Sequence, residues 1–250
     1  MLIGTANVDE LAARAPVVDR FGGEPIVCEP ADVLLVTYEI ATPHREAMLP
    51  PALHPTDPPL VTWLVYRCPV SPWGSFAMAQ TRIECRSGLR LRAFLVSAVV
   101  DNAAAAEALA TRWGFTTRHG QIELHRYYDS LHAAVVADNR TILDVIVSDP
   151  IPLSPADVQY VANMNLAHTP RGVRLVQVEP HYQVHRVERG RPRVVRFDGA
   201  AWGDARVQST HPVAASFAIA DITLPRIRFV CRPDVLAFDG TEPVSRSRAT

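Results

Sequence analysis

Lysine is missing altogether from this 250-residue chain, and every one of its 25 basic residues is arginine. No side chain can therefore form an imine with a carbonyl substrate, because a guanidinium keeps its proton and is not a nucleophile. Only the N-terminal amine is left for that chemistry. An excess of either charge is missing too: 26 acidic residues stand against 25 basic ones, a formal net charge of -1. The arginines are scattered except in Arg186 to Arg196 (RVERGRPRVVR), so nothing marks a nucleic-acid footprint. That run, with its intervening valines, reads as a charged hairpin. No apolar run reaches the ~18 residues of a membrane helix, and the N-terminus lacks the basic-then-apolar order of a secretion signal. Cys28, Cys68, Cys85 and Cys231 contain no CxxC pair, which predicts reduced thiols in a cytoplasmic protein. GxSxG, P-loop and Rossmann fingerprints are absent.

What is present describes a globular domain: 48% hydrophobic and 20% charged residues suffice for a large core. The first clear strand is ADVLLVTYEI (Ala31 to Ile40). Thr42-Pro43 predicts a short helix over HREAML, ended by Pro50-Pro51. LVTWLVYRC, SFAMAQTRIEC and LRLRAFLVSAVV follow as three strands separated by turns. Asp101 is the expected cap of the best helix, DNAAAAEALATRW, which Gly114 stops. Further strands lead to Ser154-Pro155-Ala156-Asp157, whose cap pattern predicts a second helix through VQYVANMNLAH. Beyond Pro170 the chain returns to strands, and from Asp239 the polar residues predict a disordered tail. About ten strands against two or three short helices, with hairpin spacing and no βαβ alternation, predict one antiparallel α+β domain over residues 1–238. No linker divides it.

Three stretches carry a family resemblance: LPPALHPTDPPLV (Leu49 to Val61), WGFTTRHGQIEL (Trp113 to Leu124) and IADITLPRIRF (Ile219 to Phe229). With WGDAR (Trp202 to Arg206), they are similar to VPEPLxxDEPLV, GFPKKxGxPxL, LADIxLPR and WxGPxRL of the acetoacetate decarboxylase family, in the same order. The resemblance implies a cone-like β-barrel of mainly antiparallel strands with a few outer helices, a cavity within it, and a homo-oligomer. In that family the first lysine of the KK pair forms the Schiff base, the standard instance of a lysine activated by desolvation and a neighbouring cation. Here the pair falls on Thr117 and Arg118. The family's two acids fall on Met78 and Leu64, and its substrate-binding arginine near Ala31.

The Schiff-base lysine, both acids and the arginine have become apolar or uncharged together, which keeps a buried site free of unpaired charge. The resemblance therefore implies a rebuilt cavity without Schiff-base decarboxylation, with Ala31, Leu64, Met78, Phe115 and Thr117 as its substrate-binding lining. Chemistry would fall to other groups. Arg118 could hold a carboxylate or an enolate oxygen, although a surface arginine after a helix is an equal reading. Glu39, on the face of Ala31 when counted by twos, could be a general base, and His119 could titrate near neutrality. His125 and His185 stand in reserve. The histidines of HRYYDSLH and PHYQVH lack helical i, i+4 spacing, so neither a metal nor another cofactor is expected. The expected function is lysine-independent acid/base chemistry (cyclisation, dehydration or isomerisation) on a β-keto or polyketide-like small molecule in specialised biosynthesis. No nucleic-acid or membrane partner is expected. The alternative is a non-catalytic small-molecule binder on the same fold.

Overall fold

The computed structural model describes residues 2–21 and 24–244. In chain order the strands are β1 (Ile26–Glu39), β2 (His54–Pro55), β3 (Leu60–Cys68), β4 (Phe76–Ser87), β5 (Arg90–Val100), β6 (Thr117–His119), β7 (Gln121–Arg126) and β8 (Ser130–Ala137). They continue with β9 (Arg140–Leu153), β10 (Ala162–Thr169), β11 (Gly172–Val178), β12 (His181–Phe197), β13 (His211–Leu224), β14 (Phe229–Cys231) and β15 (Thr241–Pro243). The helices are α1 (Val8–Ala12), α2 (His44–Ala47), α3 (Ala103–Trp113) and α4 (Ala237–Gly240). The strands join one sheet in the order β15-β14-β11-β10-β5-β4-β3-β1-β13-β12-β9-β8-β7, with β2 added on β4 and β6 on β5.

The hydrogen-bonded path ends at β15 and β7 without closing, so the pairing among the described residues does not form the closed barrel that the resemblance implied. The sheet is mainly antiparallel, as expected, and is mixed only where β6 and β10 run parallel to β5. β3, β4 and β10 are buried on both faces; β3 reads accordingly as a near-continuous apolar run, whereas β4 and β10 carry buried polar residues such as Gln80, Arg82, Asn163 and Asn165. One face packs Leu34, Val36, Tyr38, Trp63, Val65 and Ala79 against Phe197 and Trp202. The other packs Val33, Leu64, Tyr66 and Met78 against Leu109 and Trp113 of α3.

Several local expectations also change. The cap of α3 is Asn102, whose Oδ1 accepts from Ala105 N at 3.0 Å, while the Asp101 carboxylate accepts from Ala77 N at 2.7 Å and ties the turn to β4. Gly114 ends α3 at φ 71°, and a Cβ there would lie 3.0 Å from Ala167 Cβ, so both conformation and space call for glycine. The helix expected after Ser154 is a single 3-10 turn, Pro155–Asp157. Ser154 Oγ does accept from Ala156 N at 3.3 Å, but Ala162–Thr169 then pairs as β10 with β11 and β5. Sheet pairing overrides the cap signal because it buries Met164 and Leu166 while giving the buried amides of Asn163 and Asn165 partners.

RVERGRPRVVR is no hairpin: it lies within the single strand β12, between β13 and β9. Gly190 allows this, since a Cβ would sit 2.5 Å from Val147 Cγ1. Where a disordered tail was expected from Asp239, the chain completes α4 and adds β15 to β14; residues 245–250 lie outside the described residues. Cys28 and Cys68 are joined in a disulfide rather than reduced, because pairing along β1 and β3 brings their Cα atoms to 5.7 Å. Cys85 and Cys231 are free and buried. None of the described helices is long and apolar enough to cross a membrane.

Candidate functional site

Cross-strand register decides what the second core face presents. Thr62 lies opposite Arg82, Leu64 opposite Gln80 and Tyr66 opposite Met78, so β3 and β4 direct these six side chains to the same side. Across β5 and β6, Ala98 opposite Gln80 and Thr117 opposite Ala98 extend that side to the loop after α3. Ala31 joins from β1. Ala31, Leu64, Met78 and Phe115 therefore share one packed cluster, although an enclosed cavity of about 30 Å³ is lined only by Met78 and Phe115 of that set, with Tyr66, Trp73, Phe76 and Asn163 among the rest. Thr117 sits on the same side but turns to α3, donating from Oγ1 to Ala106 O at 3.2 Å.

The three residues expected to do chemistry are not brought together. Arg118 opposes Val99, on the other face of β5 from Thr117, and lines a different cavity. Burial lowers its pKa, against the pull of the Asp138 carboxylate. Glu39 does lie on the Ala31 side of β1, but at the strand's end, opposite Leu60 and His211. His119 is exposed at the end of β6. Neither Glu39 nor His119 is in the lining of the cavities of about 30, 160, 430 and 440 Å³ formed by the described residues. His132 pairs with Asp144 at 2.9 Å and His185 with Asp221 at 2.8 Å; among the described residues no three His, Cys, Asp or Glu side chains form a metal-sized group.

A polar cluster that sequence reasoning missed occupies the floor of this side. Arg82 is 1% exposed. Its Nε donates to Thr62 Oγ1 at 3.2 Å, and Nη1 donates to Asn163 Oδ1 at 2.9 Å and Val161 O at 3.4 Å. Among the described residues no carboxylate comes within the 4.0 Å of an ion pair with Arg82; the partly buried carboxyl of Glu84, two residues on along β4, feels its charge from farther away, which pulls down a pKa that burial raises. Asn163 Nδ2 donates in turn to Gln80 Oε1 at 2.7 Å, which leaves Gln80 Nε2 buried with no partner.

Three phenols complete the cluster. The hydroxyls of Tyr66 and Tyr182 share a hydrogen bond of 2.5 Å, and Tyr160 stacks on Tyr182 with ring centroids 4.3 Å apart. The Tyr160 hydroxyl faces Ser216 without reaching hydrogen-bond geometry. Burial raises the pKa of all three, while the charge of Arg82 pulls each one down. At neutral pH they are donors. Tyr66 belongs to the inner cavity and Tyr160 and Tyr182 to an open groove of about 440 Å³ between the 155–160 segment and β12; Pro180 borders both. The wall between interior and solvent is thus Pro180 and the Tyr66–Tyr182 contact. The available signal was the two-residue spacing of Met78, Gln80 and Arg82 in FAMAQTRIEC: an arginine inside a strand buried on both faces needs a reason.

Comparison with known proteins bears on family and fold. The family model "Acetoacetate decarboxylase (ADC)" matches residues 15–236. The acetoacetate decarboxylase of Legionella pneumophila superposes with a TM-score of 0.72 at 19% identity, covering 82% of this chain and 86% of that one. The enduracididine biosynthesis enzyme MppR, in complex with pyruvate, gives 0.67 at 17% identity over 83% and 91%. An acetoacetate decarboxylase-like enzyme of Sphingomonas wittichii RW1 gives 0.63 at 15% over 82% and 92%. No curated protein matches the chain.

Proposed function

Because the chain belongs to the acetoacetate decarboxylase family and yet holds no lysine, we propose that it binds a small β-keto acid or related β-dicarbonyl compound and promotes its enolisation without a covalent intermediate. The observation that carries this reading is Arg82, a cation 1% exposed whose hydrogen bonds go to neutral groups and which has no carboxylate within ion-pair distance among the described residues. An uncompensated buried charge costs several kcal/mol, a cost that an anionic ligand would offset. Arg82 is the anchor for a carboxylate or enolate oxygen, and the Tyr66–Tyr182 pair donates a hydrogen bond where negative charge develops on the carbonyl. Such donors lower the barrier to losing the C–H proton between two carbonyls, and that proton passes to water admitted with the substrate, since the cluster itself holds no carboxylate or imidazole. They cannot replace an imine as an electron sink for a simple ketone. Isomerisation, cyclisation and dehydration all begin from an enolate of this kind. The complex of MppR with pyruvate supports the reading, in that the fold accommodates a small keto acid.

Entry requires movement. The inner cavity of about 30 Å³ holds one or two waters, so a substrate has to part the Tyr66–Tyr182 contact from the groove side. A second reading, a binder that turns nothing over, is favoured by one observation: Thr62, Tyr66, Gln80, Arg82, Tyr160, Asn163 and Tyr182 include no carboxylate or imidazole to take the proton. In that case Arg82 still anchors the ligand. Deuterium exchange at C2 of 3-oxohexanoate, followed by NMR, separates the readings. Exchange above the buffer rate that is lost in Arg82→Met supports catalysis, whereas Arg82-dependent binding without exchange supports the binder. Absence of binding to the native protein refutes both.

A further inference from the structure

A second cavity lies on the opposite face of the same strands. It measures about 160 Å³ and is lined by Leu11, Arg14, Met48, Ile83, Phe94 and Trp202, among others, with Arg118 at one side. Its walls are mainly apolar, yet the Arg118 Nε and Nη2 atoms are buried there with no hydrogen-bond partner. Those two nitrogens form the edge of a guanidinium whose parallel N–H bonds match the two oxygens of a carboxylate. Only Nη1 is engaged, by Asp138 at 3.4 Å, and that carboxylate is 86% exposed. The one acid in the lining, Asp204, is already occupied by Arg206, at 2.9 Å from Nε and 2.6 Å from Nη2. Arg14 brings a second cation, held at the rim by donating to Gly203 O at 2.7 Å.

We propose that this cavity is a separate binding site for a small monocarboxylate with an apolar body, of the size of a benzoate or a short branched-chain acid. Size and chemistry agree. A cavity of ~150 Å³ lined by apolar side chains accommodates benzene, and the unpartnered edge of Arg118 takes the carboxylate. A phosphate fits the site poorly, because its further oxygens would meet apolar walls and Asp204. The site is back to back with the Arg82 cluster: Ile83 follows Arg82 on β4, and Arg118 follows Thr117 on β6, so each strand serves one site with alternate residues.

Isothermal titration of the full chain with benzoate tests this. Saturable binding is expected, weakened about tenfold to a hundredfold in Arg118→Met and to a similar extent when the neutral isostere benzamide replaces benzoate on the native protein. Inorganic phosphate should give no saturable signal. The benzamide comparison requires no variant and keeps the test decisive if Arg118→Met fails to fold. Binding of benzoate that is unchanged in Arg118→Met, equal binding of benzamide, or no saturation up to about 10 mM would each overturn the proposal. A loss of benzoate binding in Arg82→Met as large as in Arg118→Met would also overturn it, by moving the ligand to the other face.

Discussion

Replacing Arg82 by Met separates the two uses that a buried arginine can have, because stability and ligand binding should move in different directions. On the stability side, the substitution removes three hydrogen bonds. The contacts to Val161 O at 3.4 Å and Thr62 Oγ1 at 3.2 Å are the longer two, so the main loss is the 2.9 Å bond to Asn163 Oδ1. A buried acceptor left unpaired costs about 1–3 kcal/mol. Against this, the variant no longer buries a cation that lacks an ion-pair partner, a penalty of several kcal/mol that the more distant Glu84 offsets only in part, and Met fills a similar volume. The net change should lie between neutral and a stabilisation of about 2 kcal/mol, read as an unchanged or higher urea midpoint with an unchanged slope. For scale, Leu64→Ala on the same face should destabilise by about 2–5 kcal/mol. Affinity for a β-keto acid should meanwhile fall by about tenfold to a hundredfold, the value of one charge-assisted contact. Improved stability with lost binding is the signature of a functional residue carried at a cost to the fold. A destabilisation above about 3 kcal/mol would refute this reasoning and make Arg82 a structural hydrogen-bond hub.

Two further outcomes follow from other parts of the chain. With no lysine present, acetoacetate should release no carbon dioxide above background, and borohydride should trap no substrate adduct on any side chain; mass spectrometry of the intact protein checks this. The buried phenols of Tyr38, Tyr66, Tyr160 and Tyr182 have folded-state pKa values raised, chiefly by desolvation, above the ordinary 10.0. The unfolded chain then releases those protons first, so their contribution to stability is complete below about pH 10 and is lost as pH rises through the raised folded values. Unfolding followed from pH 8 to pH 12 should show that loss, together with a late rise in phenolate absorbance that coincides with unfolding. Ionisation of all four while the fold is intact would contradict their burial.

The family and the absence of imine chemistry were legible in the sequence. The first shows in loop motifs whose order survives divergence, and the second follows from composition, which no fold can change. The family resemblance also assigned Ala31, Leu64, Met78 and Phe115 to one lining, and the four do share one packed cluster; the strand's two-residue period served only to put Glu39 on the side of Ala31. The sequence did not reveal that Arg118 and Thr117 serve opposite faces, since that depends on the short parallel pairing of β6 with β5. Nor could it show that Arg82, Asn163 and Tyr182, contributed by β4, β10 and β12, share one interior. A buried cation looks like any other arginine until the strands packed around it are known to give it neutral partners and no ion pair. The Ser154 cap signal was genuine and still failed to predict a helix, because cap energies of about 1 kcal/mol yield to the burial of a whole strand. Local chemistry thus decided what the chain cannot do, and pairing between distant strands decided which side chains remain to act.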